Sequence, residues 1–394
     1  MSNKKNLIII IFSLVVLLGV GILVYFLSKD NTVNNNASNL SVSVQEASFD
    51  NSDEYYITLD KSITISKAGV YYLSGTLDGS ITVNTDGDVK LVLNGVSIKN
   101  SNGAAINVEK ANIVYIEVNG DNTINATISD EEVDGAIFTV SDLVLTGSGT
   151  LNITSNSNGI KTKGNMLIEN GTYNITSDGD SIHCNDSLKI NGGTINIESK
   201  DDGLRANDVL EINDGNITVN ASEGIEGTYV KINGGTVSIN ASDDGINATN
   251  KSDNYTPTVE INGGNITIKM AQGDTDGIDS NGNLYINGGT ITIDGQSAFD
   301  YDLEAKYTGG KMIINGEETT TITNQFGGAM GGMNNGAMRG GQQMTPPSGE
   351  EENQQMTPPS GEEGNQQMTP PSGEEGNQQM TPPDGSNNTR TKKR

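Results

Sequence analysis

The sequence repeats one asymmetric unit of about 21 residues, and this repeat limits the possible folds more than any other feature. One unit reads INGGTINIESKDDGL, from Ile190 to Leu204: an apolar residue, an Asn-Gly turn, an alternating stretch and an acidic step. The apolar residue after each acidic step marks the period, and it falls at Ile137, Ile160, Ile182, Leu204, Ile225, Ile246, Ile278 and Phe299. These markers lie 21 to 23 residues apart, with one interval of 32. A period of this length is typical of a solenoid, in which each unit buries its apolar face by stacking on its neighbours.

The composition of the units predicts strands rather than helices. Stretches such as TINI and VSI alternate, and they are rich in β-branched residues. A period near 21 is too short for a propeller blade of about 40 residues. We therefore predict an all-β chain folded as a right-handed parallel β-helix, with about 21–22 residues per coil.

A row of hairpins is the alternative fold, because Asn-Gly is a strong hairpin signal. Two observations favour stacked coils. Strands such as LKI before the turn are very short, and the length of the unit is nearly constant. Stacking explains the constant length, since one extra residue would turn every later side chain to the wrong face.

Two parts of the repeat are irregular. The 32-residue interval contains NATNKSDNYTPT, residues 247–258, which predicts a loop extruded from one coil. Residues 41–130 repeat less cleanly, as expected of terminal coils that cap a stack. The predicted organisation is a membrane anchor or signal segment at 1–28, a linker at 29–52, the β-helix at 53–325 and a tail at 326–394.

The N-terminal segment predicts a membrane anchor. The 21 residues from Leu7 to Leu27 carry no charge, and a helix of that length can cross the hydrocarbon core. Lys4 and Lys5 before it favour a cytoplasmic N-terminus. We expect a single-pass protein of the cell membrane with its β-helix outside the cell. The alternative is a cleaved signal peptide and a secreted protein, although no small-x-small site follows Leu27.

The C-terminal segment from Phe326 predicts a disordered spacer. It repeats QQMTPPSGEEGN, with Met at 344, 356, 368 and 380. Such a Pro-, Gly-, Gln- and Glu-rich composition without aromatic residues cannot bury a core.

Charge and cysteine content exclude several functions. The formal net charge of −27 argues against nucleic acid as a partner and favours cations. Cys184 is the only cysteine, so neither a disulfide framework nor a cysteine-based metal site is expected. His183 is the only histidine; it cannot form a dyad with Cys184, because neighbours on a strand point to opposite faces.

Stacking would turn the acidic step into a column of carboxylates. Carboxylates about 5 Å apart repel one another, and a cation between them removes that cost. Hard oxygen ligands favour Ca²⁺. The predicted calcium ligands are Asp178, Asp180, Asp201, Asp202, Asp243, Asp244, Asp274 and Asp276. Alternatively, these residues are ordinary turn formers that accept local backbone hydrogen bonds.

The residue after each marker should face outward. In three successive coils it is basic: Lys161, His183 and Arg205. These residues are the predicted carbohydrate-binding side chains, because a basic column beside calcium could hold a carboxylated sugar. Alternatively, they only neutralise the neighbouring acids.

The upstream stretches GVYYLSGTLDGSITV and VKLVLNGVSIKNSNGAAI, together with the INGGTxxI…DDGI coils, resemble a known family over about residues 41–320. It comprises exported bacterial carbohydrate-binding proteins with a right-handed parallel β-helix related in shape to polysaccharide lyases. The resemblance implies binding of cellulose or an acidic polysaccharide, with bound calcium. It brings no fixed set of catalytic residues.

Three functions follow from these expectations. The favoured one is a non-catalytic surface protein that binds polysaccharide. The absence of Trp argues against a flat aromatic platform, so a charged or calcium-bridged glycan fits better. The alternatives are a calcium-dependent polysaccharide lyase, with Lys161 or Arg205 as the base, and a structural adhesin or spacer.

Overall fold

The computed structural model describes residues 42–324, apart from residues 45, 51 and 274. This part of the chain is all-β and contains no helix, so no described helix could cross a membrane. The predicted anchor at residues 7–27 and the predicted tail at 326–394 lie outside the described residues.

The strands are short and follow one another closely. Those of the first half are β1 (Glu54–Leu59), β2 (Ile63–Ile65), β3 (Gly69–Asp78), β4 (Ile81–Asn84), β5 (Val89–Asn100), β6 (Ile106–Lys110), β7 (Ile113–Asn119), β8 (Asp121–Ala126), β9 (Gly135–Thr139), β10 (Asp142–Gly147), β11 (Thr150–Ser155), β12 (Asn158–Thr162), β13 (Met166–Ile168), β14 (Thr172–Ser177) and β15 (Ile182–Cys184). Those of the second half are β16 (Leu188–Ile190), β17 (Thr194–Ser199), β18 (Leu204–Ile212), β19 (Asn216–Ala221), β20 (Ile225–Ile232), β21 (Thr236–Ala241), β22 (Ile246–Ala248), β23 (Thr258–Ile261), β24 (Asn265–Met270), β25 (Asp276–Ser280), β26 (Asn283–Ile286), β27 (Thr290–Asp294), β28 (Ser297–Tyr301), β29 (Ala305–Tyr307), β30 (Lys311–Ile314) and β31 (Glu317–Thr319).

These strands stack into three parallel sheets around one core. Sheet 1 contains β2, β4, β6, β9, β12, β15, the first parts of β18 and β20, and then β22, β25 and β28. Sheet 2 contains β1, the first parts of β3 and β5, then β7, β10, β13, β16, the second parts of β18 and β20, and then β23, β26 and β29. Sheet 3 contains the ends of β3 and β5, then β8, β11, β14, β17, β19, β21, β24, β27 and β30. The chain passes from sheet 1 to sheet 2 to sheet 3 and returns one coil further on, so the predicted β-solenoid is confirmed.

The marker residues form one continuous column in sheet 1. Ile182 pairs with Leu204, and Leu204 pairs with Ile225, so these markers occupy adjacent coils in register. The column extends upstream to Ile63 and Ile81, giving eleven coils in sheet 1. The alternative prediction, a row of hairpins, is therefore wrong. The right-handed sense of the coil stays a prediction.

The Asn-Gly turn connects sheet 2 to sheet 3, and its asparagines hydrogen-bond from coil to coil. Asn233 donates through Nδ2 to Asn213 Oδ1 at 2.8 Å. Asn262 donates to Asn233 at 2.9 Å, and Asn287 donates to Asn262 at 2.9 Å. Each interior amide in this ladder thus donates to one coil and accepts from the next, which explains the recurrence of asparagine here.

The second glycine of the turn is required by conformation and by stacking. Gly264 has φ +89°, and a Cβ added there would lie 3.0 Å from the carbonyl oxygens of Gly234 and Gly235 in the coil below. Gly224, in the acidic step, is needed for a different reason. Its Cβ would collide with the Gly245 carbonyl oxygen and with Ile239 Cγ2.

Two segments lie outside the regular coils. Residues 249–257, between β22 and β23, form the predicted loop. At the N-terminal end of the described chain, Val42 packs against Val209 and Tyr229, and the Phe49 ring meets Tyr115 edge-on at 5.3 Å. Residues 42–49 therefore cover part of the outer surface of sheet 2.

Replacing Gly264 with alanine should destabilise the protein more than replacing Gly316. Both residues have a positive φ, +89° and +83°, so each alanine should cost about 1–2 kcal/mol for the left-handed backbone. Only Gly264 has backbone oxygens at 3.0 Å from the added Cβ, whereas Gly316 has nothing within 4 Å. Urea denaturation midpoints should fall further for Gly264→Ala, and equal shifts would contradict the stacking requirement.

Candidate functional site

The acidic turn from sheet 3 to sheet 1 and the outer surface of sheet 1 together form a charged edge along the solenoid. We define the charged edge as the acidic-turn residues from Asp134 to Asp276 together with the outward residues of sheet 1 in the same coils. The outward residues form one column in register: Lys161, His183, Arg205, Glu226, Asn247, Asp279 and Asp300.

The three predicted carbohydrate-binding residues lie in adjacent coils, and each one contacts a carboxylate. Lys161 Nζ lies 2.7 Å from Asp134 Oδ2, and His183 Nδ1 lies 2.7 Å from Asp180 Oδ2. Arg205 contacts three carboxylates. Cys184 lies in the core and His183 on the outer side, as the strand geometry predicts.

Arg205 and Lys251 hold the densest part of the charged edge together. Arg205 Nη1 lies 3.2 Å from Asp202 Oδ2 and 3.7 Å from Asp180 Oδ2, and its Nε lies 3.3 Å from Glu226 Oε2. Lys251, from the 249–257 loop, places Nζ 2.6 Å from Glu226 Oε1. The basic residues therefore neutralise the acids, and the Arg205 side chain remains one quarter exposed.

Two carboxylate triplets bring ligand oxygens within 4.8 Å of one another among the described residues. The first contains Asp180, Asp201 and Asp202, and the second contains Asp202, Glu223 and Glu226. Asp180, Asp201 and Asp202 were predicted as ligands. Glu223 and Glu226 were not, although Glu223 occupies the same pre-glycine position as Asp202, and Glu226 directly follows the marker Ile225.

The remaining predicted ligands belong to neither triplet. Asp178 pairs with Lys200 at 2.6 Å. Asp243 is exposed, and Asp244 Oδ1 accepts the backbone N–H of Asp276 at 3.0 Å. Asp274 lies outside the described residues. An acid in a turn ordinarily accepts a local backbone hydrogen bond. Asp244 also accepts a backbone hydrogen bond, but the donor lies in the next coil.

Asp180 and Asp202 are both buried, yet their pKa values move in opposite directions. Burial works to raise the pKa of Asp180, but the hydrogen bond and charge of His183, helped by Arg205, lower it overall. Burial, reinforced by the charges of Asp180 and Glu226, raises the pKa of Asp202 to about 9. Asp180 therefore loses its proton more readily than an ordinary aspartate, whereas Asp202 holds its proton more tightly.

The second triplet has the features of a cation site. Glu226 is 2% exposed, and its Oε2 accepts no hydrogen bond but faces Arg205 Nε at 3.3 Å. Burial and the charge of Glu226 raise the pKa of Glu223 to about 7. Asn247 donates through Nδ2 to Glu223 Oε2 at 3.0 Å, while its own buried Oδ1 has no partner. The clustered carboxylate oxygens, the unsatisfied Asn247 Oδ1 and the raised pKa of Glu223 fit a hard cation such as Ca²⁺.

The C-terminal part of the charged edge is acidic. Burial, with the charges of Asp244 and Asp300, raises the pKa of Asp279 to about 7. Burial also raises the pKa of Asp244 to about 6, against a hydrogen bond from the Asp276 backbone. Neither Asp244 nor Asp279 forms an ion pair with any residue of the described chain.

Comparison with known proteins assigns the family. A family model described as carbohydrate-binding domain-containing protein matches residues 59–209 and 202–342. The chain belongs to this family. A carbohydrate-binding domain-containing protein of Acetivibrio thermocellus is 31% identical over 122 residues, which are 28% of this chain and 43% of the relative. This chain thus spans less than half the length of that relative.

A solved structure is also similar, namely that of the polysaccharide lyase-like protein from C. thermocellum, as a gadolinium derivative. It is 25% identical, with a TM-score of 0.37, and the match covers 66% of this chain and 96% of that chain. The family match confirms the resemblance to carbohydrate-binding proteins that the repeated coils predict.

The stability of the protein without divalent cations should fall as the pH rises from about 4 to 8. Asp244 and Asp279 have raised pKa values in the folded state, about 6 and about 7. The stability that these two residues contribute is therefore fully present below their unfolded-state pKa near 4. It is lost as the pH rises through about 6 to 7. The lowered pKa of Asp180 affects stability only below about pH 4. Melting curves in EDTA should show this decline.

The variant Asp279→Asn serves as the check, because asparagine does not titrate. Its melting temperature should depend less on pH across the same window than that of the wild-type protein. A slope equal to that of the wild type would contradict the assigned role of Asp279.

Proposed function

We propose that this protein binds an anionic, uronate-containing polysaccharide along the charged edge, with the help of calcium held by the edge carboxylates. The observation that carries the proposal is the triplet Asp202–Glu223–Glu226, whose ligand oxygens lie within 4.8 Å of one another, immediately beside Arg205. Membership of a carbohydrate-binding family supports the class of ligand.

Calcium would be held by Asp202, Glu223 and Glu226, with the neighbouring Asp180–Asp201–Asp202 triplet as the second candidate position. When bound, it would supply positive charge that can bridge carboxylates of protein and glycan. The remaining predicted ligands, Asp178, Asp243, Asp244, Asp274 and Asp276, stay candidates for weaker positions along the same edge. Asp279 extends this acidic part in the structure.

Arg205, His183 and Lys161 would face the uronate groups. Arg205 is partly exposed and contacts three carboxylates of its own chain. Bound calcium would add positive charge to these carboxylates, so that they would depend less on Arg205. The guanidinium N–H groups of Arg205 would then be available to a carboxylate of the ligand, which arginine binds well. Coils about 4.8 Å apart repeat these groups along the axis, so an extended polymer would meet several of them.

Binding without cleavage fits the geometry better than a calcium-dependent lyase. A lyase base must accept a proton. Lys161 is held in an ion pair with Asp134 at 2.7 Å. The pKa of Arg205 is raised, since the charges of Glu226, Asp180 and Asp202 outweigh the effect of burial. Arg205 is therefore held in its protonated form, and the Lys161 ammonium is engaged by Asp134.

The cellular placement belongs to the same proposal. We place the β-solenoid outside the cell, held by the apolar segment Leu7–Leu27 as a single-pass anchor, and a secreted form is the alternative. An exported position would give the domain access to wall or extracellular glycans.

Calcium binding by the full chain should release protons and strengthen with pH. Asp202 and Glu223 carry protons near neutrality, with pKa values of about 9 and about 7. Each proton displaced makes the affinity about tenfold stronger per pH unit. Isothermal calorimetry at pH 6 and 8 should therefore give tighter binding at pH 8, with heats that depend on the buffer.

The substitution Asp202→Asn tests the assignment of the ligands. Asparagine resembles the protonated form of this residue, so the fold should persist while calcium affinity falls. The matched control is Asp60→Asn at an exposed position in the first coils, which should bind calcium like the wild type. Calcium binding unchanged in Asp202→Asn would refute this site.

Affinity electrophoresis in polygalacturonate should retard the wild-type protein in calcium and much less in EDTA. Arg205→Met should reduce the retardation even in calcium, because the uronate carboxylate loses its guanidinium partner. Equal mobility with and without polygalacturonate would contradict the proposal. Release of unsaturated uronate products, followed by ultraviolet absorbance, would favour the lyase instead.

A further inference from the structure

The outer surface of sheet 3 presents a regular array of uncharged hydrogen-bonding side chains. Two outward columns, two residues apart on each strand, run through the seven strands β11, β14, β17, β19, β21, β24 and β27. The first column starts at Thr150 and ends at Thr290, and the second starts at Asn152 and ends at Thr292. Every position in both columns is Thr, Asn or Ser. We call these fourteen side chains the neutral lattice.

The neutral lattice is held in order by the fold. Asn174 donates through Nδ2 to Asn152 Oδ1 at 2.8 Å, and Asn196 donates to Asn174 Oδ1 at 2.8 Å. Asn174, in the middle, therefore keeps one N–H and one oxygen lone pair for a ligand. The threonines have stiff χ1 angles, and strand pairing spaces the rungs at about 4.8 Å. The ligand-facing groups thus require little further ordering on binding.

Strand propensity alone does not explain this surface. Asparagine is depleted in strands, and solvent-facing positions of soluble proteins usually carry mixed charges. The outer surfaces of sheets 1 and 2 do carry charges of both signs. The outward column of sheet 2 alternates Lys189, Glu211, Lys231 and Glu260, and sheet 1 carries the charged edge. In these seven strands of sheet 3, charged residues occur only in the third outward column, at Glu198, Lys269 and Asp294. The two columns of the neutral lattice carry no charge, in a chain of net charge −27.

We infer that the neutral lattice is a second glycan-binding surface, which takes a neutral, extended polysaccharide through rows of hydrogen bonds to its hydroxyl groups. The absence of charge in these two columns matches a neutral polymer, whereas an anionic polymer would meet the negative field of the chain with no bound cation to offset it. The lattice also supplies a flat binding surface without the aromatic platform that the chain lacks. This site lies on a different face from the charged edge and needs no calcium.

The test uses the full chain with two probes, microcrystalline cellulose as a neutral polymer and polygalacturonate as an anionic one. The triple variant Thr172→Val, Thr194→Val and Thr236→Val removes three lattice hydroxyls but keeps their shape. The matched control, Thr64→Val with Thr82→Val, makes the same change on the outer surface of sheet 1, in the first coils. The triple variant should be retained on cellulose about tenfold more weakly, in calcium and in EDTA alike.

The control should match the wild type on cellulose, and the triple variant should bind polygalacturonate like the wild type. If the triple variant melts early, Thr218→Lys places a charge in the middle of the lattice and should weaken cellulose retention in its place. Absence of wild-type retention on cellulose, or full retention by the lattice variants, would overturn this inference. Loss of polygalacturonate binding alone would overturn only the proposed role of the charged edge.

Discussion

In-register parallel stacking of coils is the constraint on which the rest of this structure depends. Backbone hydrogen bonds run from coil to coil, so every residue lies over its equivalent about 4.8 Å away. Apolar residues then form the continuous column that includes Ile182, Leu204 and Ile225. Asn-Gly turns form an amide ladder, and Gly264 must be glycine because a Cβ would meet the backbone of the coil below. The same rule that stabilises apolar and amide columns makes a column of acids costly.

The charged edge offsets that cost in different ways along its length. Where basic residues follow the markers, Lys161, His183 and Arg205 lie against the acids. Where no basic residue is in contact, burial and neighbouring charges raise the pKa values of Asp244 and Asp279. Basic side chains, protons and metal ions are interchangeable as sources of positive charge here. This balance of charge is the basis of the proposal that the edge binds calcium and an anionic polymer.

The three sheets present three different outer surfaces. Sheet 1 carries the charged edge, sheet 2 alternates acids and bases and is partly covered by residues 42–49, and sheet 3 carries the neutral lattice. A solenoid permits this division because an outward position can vary without disturbing the core, provided that coil length is kept. The family assignment gives carbohydrate as the class of ligand, and the separate surfaces are the reason for proposing two glycan-binding sites.

Periodicity alone was sufficient to predict the β-solenoid, the marker column, the 249–257 loop and the opposite orientations of His183 and Cys184, because stacking is encoded by spacing along the chain. The predicted ligands Asp180, Asp201 and Asp202 follow from the same spacing. Only the tertiary structure joined Glu223 and Glu226 to Asp202 and brought Lys251 back onto Glu226. It also decided that Asn152 and Thr218 face solvent on a flat sheet. These features depend on the conformation of each turn between sheets and on the side chains that pack beside it. The repeat length does not specify either of these, nor the side-chain distances between neighbouring coils.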